Sequence, residues 1–115
     1  MRRLVDTSVL LRWSQADVPE HIVCRRGIDH LLERGDDLCM CAQVLIEYWV
    51  AATRPRDVNG FGLSPREAEP LLADIDDMFT CLPEPPDIAA RWRKIVVDNG
   101  VLGKQAHDAR LSAAG

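Results

Sequence analysis

Long apolar runs are absent from this 115-residue chain. No stretch reaches the roughly 18 unbroken apolar residues of a membrane span, and the first residues lack a secretory signal's apolar region. The expectation is a cytoplasmic protein with no membrane partner. Missing too is any CxxC pair. Cys24, Cys39, Cys41 and Cys81 stand at spacings that fit no zinc site, so core thiols are the simpler reading. There is no excess of positive charge either: 14 Lys and Arg against 18 Asp and Glu leave a net −4. Such a molecule does not attract nucleic acid as a whole, and binding it would need a local basic patch. Arg2 with Arg3, Arg25 with Arg26, Arg54 with Arg56, and Arg91 with Arg93 and Lys94 are the candidates, each weighed against ordinary solvated arginine. Repeats, linkers and low-complexity segments are also lacking.

What is present is the composition of a small globular core, 47% hydrophobic and 28% charged, in a chain long enough for one domain over residues 1–115. Leu4 and Val5 read as a short strand, and residues 7–13 as a short helix. Pro19 suits the first turn of a second helix, with Cys24, Ile28, Leu31 and Leu32 at helical spacing up to Gly35. Residues 38–42 read as a strand. Residues 43–53 read as a helix apolar over most of its circumference, implying burial on more than one side, and Pro55 stops it. The turn formers of RPRDVNGFGL mark a surface loop. Ser64-Pro65-Arg66-Glu67 is a capping-box pattern that opens another helix. Residues 80–82 form a candidate third strand, and two helices follow, the last from 104 to about 114. Strands alternating with helices predict an α/β domain with a parallel sheet covered on both faces.

Three acids stand out. Asp6 falls where the first strand joins the first helix, at the carboxyl end of a strand, where open α/β sheets place their ligands. A charge in so apolar a run would cost several kcal/mol unless paired, hydrogen-bonded or bound to a metal. Capping of the helix amides is the structural alternative. Glu47 stands among Val44, Val50 and Ala51, with Gln43 its one polar helical neighbour, and Asp108 lies in the first turns of the last helix, where the dipole favours an anion. Three acids from three segments would suit Mg²⁺ or Mn²⁺, which take oxygen ligands and serve phosphodiester cleavage.

LVDTSVLLRW, CAQVLIEYWVAATRP with NGFGLS, and GKQAHDARLSAA resemble, in that order, the three main blocks of PIN-domain proteins, especially VapC-like toxins of bacterial toxin–antitoxin pairs. The resemblance implies a three-layer α/β/α fold and a Mg²⁺- or Mn²⁺-dependent endoribonuclease. It also implies an RNA substrate, a cognate antitoxin and a homodimer. Asp6, Glu47 and Asp108 would be the catalytic, metal-holding acids. Thr7 or Ser8 would be a supporting hydroxyl, or a helix cap, and Arg54 and Arg56 are RNA-binding candidates. His107 reads as a capping or packing residue.

The sequence departs from the PIN pattern after the Asp-Ala block, where a further strand and a fourth acid would follow. The expectation is a PIN-like domain whose C-terminal strands are missing, with Leu4 and Val5 at an exposed sheet edge. An inactive remnant that only binds an antitoxin or another protomer is the alternative. A haloacid-dehalogenase-type phosphatase would want an aspartate where Ser8 stands, and Asp6 has no adjacent acid as a receiver domain would.

Overall fold

The computed structural model describes residues 1–103 and 105–114. They form two compact units, 1–82 and 83–115. The expected start of the last helix at Lys104 lies outside the described residues.

In the first unit, β1 (Arg2–Leu4), β2 (Asp37–Cys41) and β3 (Thr80–Leu82) form a parallel sheet in the order β1-β2-β3. Leu4 pairs with Cys39, and Cys39 with Thr80. Connecting them are α1 (Thr7–Ser14), α2 (His21–Glu33), α3 (Ala42–Thr53) and α4 (Pro65–Met78). Parallel strands cannot be joined by tight turns, so each crossover carries helix. The expected α/β class is therefore the observed one. As the central strand, β2 is buried almost throughout, with Leu38, Cys39, Met40 and Cys41 all buried. β1 is an edge, and Leu4 is exposed there, as expected; Val5 is buried, its N–H extending the ladder to the Cys39 carbonyl at 2.8 Å. Arg2 and Arg3 place charge on that edge, a common guard against unwanted strand pairing.

The core of this unit gathers Leu10 and Trp13 from α1, Val44, Tyr48 and Ala52 from α3, and Ala68 and Ile75 from α4. Trp13 meets Phe79 edge-on, ring centroids 5.2 Å apart at 84°. The Ser14 hydroxyl and the buried Tyr48 phenol share a hydrogen bond of 2.8 Å, tying α1 to α3. The Arg25 guanidinium lies 3.9 Å over the Trp13 ring, and its Nε donates to the Trp13 carbonyl. Arg3 donates to Asp36 at 2.7 Å. Two of the candidate basic patches thus have an arginine committed to the fold.

Several boundaries differ from expectation. Pro19 lies in a turn ahead of α2, because His21 N–H donates to the Val18 carbonyl and helix begins only after it. The third helix is not buried on more than one side: Ile46 and Val50, one turn apart, are 63% and 49% exposed. Of the thiols, Cys39 and Cys41 are core residues, Cys24 is half-buried, and Cys81 is exposed on the edge strand β3. The capping box at α4 is as expected, Ser64 Oγ accepting from Glu67 N–H while Glu67 Oε1 accepts from Ser64 N–H. The Ser64 backbone N–H first, and its hydroxyl second, hold the Glu67 carboxyl below the usual carboxylate range.

The second unit is a helical hairpin of α5 (Ile88–Asp98) and α6 (Gln105–Ala114). Trp92 Nε1 donates to the Ala106 carbonyl at 2.7 Å, Arg91 bonds Asp87 and the Ala113 carbonyl, and Arg110 pairs with Glu84. Among the described residues no helix is long and apolar enough to cross a membrane.

Candidate metal-binding carboxylates at the start of the first helix

Asp6 is the N-cap of α1. Its backbone is extended (φ −100°, ψ 176°) and Oδ1 accepts from Val9 N–H at 3.0 Å and from Ser8 Oγ at 2.8 Å. The capping alternative is thus realised. The apolar run suggested a buried charge, but Asp6 is exposed, because β1 ends at the sheet edge and the chain turns there into the first amides of α1. Water therefore pays much of its solvation, and the need for a partner is weaker than the sequence implied. Capping occupies Oδ1 alone: Oδ2 accepts no hydrogen bond among the described residues.

Thr7, the first residue of α1, bonds the second acid. Its hydroxyl donates to Glu47 Oε2 at 2.9 Å, with the Val44 carbonyl farther off at 3.5 Å. One hydroxyl proton serves one strong bond, so Glu47 is its main acceptor. Ser8 faces back to Asp6. The two hydroxyls that the sequence left interchangeable thus have separate tasks, Ser8 on the first acid and Thr7 on the second. The other oxygen of half-buried Glu47, Oε1, accepts from Gln43 Nε2 at 3.0 Å. Sequence reasoning noticed Gln43 only as a polar neighbour; its signal was the spacing of four, which puts glutamine and glutamate on one face of a helix.

Asp6 and Glu47, far apart in sequence, each accept a hydroxyl bond from the first turn of α1, from Ser8 and Thr7 respectively. Among the described residues no group of three His, Cys, Asp or Glu side chains assembles that could hold a metal ion. Asp108 lies in the other unit, exposed in the first turn of α6, as its helix-start reading required. His107 precedes it and is exposed.

The segment after α3 is built to close that helix. Phe61 and Leu63 N–H groups donate to the Ala51 and Ala52 carbonyls, and Gly62 N–H to the Arg54 carbonyl, satisfying acceptors that a helix end leaves open. Gly60 is required there, since a Cβ would overlap the Arg54 carbonyl oxygen. Arg54 is exposed and donates to the Asn59 carbonyl at 3.0 Å, while exposed Arg56, in a 3-10 turn (Arg56–Val58), forms no ion pair among the described residues. Arg54 follows Glu47 by seven residues, about 10 Å along the helix axis.

The profile of the PIN domain matches residues 3–114, nearly the whole chain. This protein belongs to the PIN-domain family. The family's general activity is that of divalent-metal-dependent nucleases acting on nucleic acid. No curated protein sequence matches the chain.

Proposed function

We propose that this chain is a metal-dependent endoribonuclease of the PIN type, one domain over residues 1–115, and the toxin of a toxin–antitoxin pair in the cytoplasm. The observation that carries the reading is the Thr7 bond to Glu47, which brings a second carboxylate to the helix start that Asp6 caps. The donor set suits a hard divalent cation: both groups are carboxylates, each retains lone pairs, and Asp6 Oδ2 accepts no hydrogen bond among the described residues. Asp6 and Glu47 would hold Mg²⁺ or Mn²⁺, and Asp108 is the further acid that the family resemblance implies. The chemistry such a cation supplies when bound is a more acidic water and neutralisation of charge at the phosphodiester.

The protein's own residues do the rest. Val9 N–H and Ser8 hold Asp6 by one oxygen, and the amide end of α1 favours the anion. Thr7 orients Glu47. RNA is polyanionic and the protein carries net −4, so approach needs local cations, a task for Arg54 and Arg56 at the end of the helix that bears Glu47. The exposed pair Ile46 and Val50 supports contact with another protein, the antitoxin or a second copy of the chain.

The test is cleavage of a mixed structured RNA by the purified protein with Mn²⁺, against EDTA and against Asp6→Asn. Cleavage that needs the metal and is lost in the variant is expected. A folded parent protein that leaves the RNA intact with Mn²⁺ overturns the enzyme and favours a chain that acts only by binding.

A further inference from the structure

Glu47 is held at both oxygens by donors from two different elements. Thr7 Oγ1, at the start of α1, reaches Oε2 at 2.9 Å, and Gln43 Nε2, one turn earlier on α3, reaches Oε1 at 3.0 Å. Gln43 is buried at 9% exposure and follows directly on Ala42, the first residue of the helix that leaves the central strand β2. Its position is thus fixed by the most buried part of the sheet.

We propose that Gln43 is a positioning residue that sets the orientation of Glu47 toward a divalent cation; the proposal rests on the metal-dependent reading above. A free glutamate on a helix rotates about several bonds and loses that freedom on binding a cation. A carboxylate already clamped at both oxygens has lost it on folding, so binding costs correspondingly less. The type of donor matters as much as its place. A lysine or arginine here would hold the carboxylate equally well but would neutralise it, and would compete with the cation. Both donors are neutral, and Glu47 has no ion-pair partner among the described residues. The clamp therefore orients without discharging. Each oxygen also keeps lone-pair capacity beyond the one bond it accepts.

The proposal predicts that Gln43→Met, similar in length but without the donor, weakens Mn²⁺ binding about 10-fold, the lower end for groups that orient a metal ligand. Binding is read by electron paramagnetic resonance of free Mn²⁺, with circular dichroism confirming a folded variant. In the unaltered protein, the Gln43 side-chain amide resonance should move on Mg²⁺ titration along the same curve as the Asp6 backbone amide. A folded Gln43→Met that binds Mn²⁺ like its parent overturns the proposal, as does a Gln43 amide that saturating Mg²⁺ leaves unmoved. The second measurement decides alone if the variant fails to fold. Failure of the parent itself to bind Mn²⁺ overturns the metal-dependent reading and this proposal with it, whereas parental binding indifferent to Gln43 overturns the clamp alone.

Discussion

Asp6 carries two roles, a cap and a candidate metal ligand, and substitution can separate them. Asparagine keeps a side-chain oxygen that can accept from Val9 N–H and Ser8 Oγ, now at 3.0 and 2.8 Å, and it is about as good an N-cap as aspartate. What Asp6→Asn removes is charge. Loss of the favourable term with the α1 dipole costs about 0.3–1 kcal/mol at an exposed site, toward the low end once salt screens it. The net change should be within about 0.5 kcal/mol. Asp6→Ala removes the cap itself and should cost about 1 kcal/mol, a fall of roughly 4 °C or more in Tm for a chain of this size. Urea unfolding followed by circular dichroism measures both, beside RNA cleavage with Mn²⁺. Equal activity loss in both variants, with stability lost only in the alanine form, is expected. An asparagine variant as unstable as the alanine one would refute the separation, and its inactivity could then no longer be assigned to chemistry.

Gly60→Ala should destabilise by about 2 kcal/mol or more, because the loop must open and release the Ala51 and Ala52 carbonyls. Gly27→Ala, where an added Cβ meets nothing within 4 Å inside α2, should instead stabilise by about 0.5–1 kcal/mol in the same urea assay. Asp36, bonded by Arg3 and by the N-terminal ammonium with Arg34 nearby, has its carboxyl held below the usual carboxylate range, against the opposing effect of burial. Its folded pKa is depressed, so its contribution is present above the unfolded value of about 3.9 and disappears as pH falls through the folded one. The stability gap between the parent and Asp36→Asn should accordingly be constant above about pH 5 and close in acid; a gap that persists unchanged at pH 2 would refute this. Among the thiols, Cys81 should react first with a disulfide reagent at pH 8. Cys39, its thiol pushed up by burial and by Asp37, should resist until the protein unfolds; simultaneous reaction of both would contradict the burial pattern.

Much of this architecture was legible because it is written in local chemistry. The Ser64 capping box and the turn formers after α3 act through neighbouring residues and lie where their patterns put them, and the short apolar strands begin within two residues of theirs. Pro19 shows the limit of that reasoning: its fixed φ serves a turn as well as a first helical turn, and the Val18 carbonyl decides between them. Burial was harder to read. The third helix is apolar nearly all round, yet Ile46 and Val50 face outward, since pattern alone does not say how many neighbours a helix has. Asp6 was misjudged in the same way, as an apolar sequence setting became an exposed position at the sheet edge.

At the candidate site, the acids themselves could be picked out because charge among apolar residues, or in the first turn of a helix, needs a physical reason. The sequence by itself therefore determined the α/β class, the family and the residue types on offer. Which of them meet was decided by the tertiary structure. Thr7 and Glu47 stand 40 positions apart and touch only because β1 and β2 are adjacent in the sheet and deliver α1 and α3 side by side. Gln43 acquires its task there too: the spacing of four makes a bond to Glu47 available, but only Thr7 on the opposite oxygen turns it into a clamp.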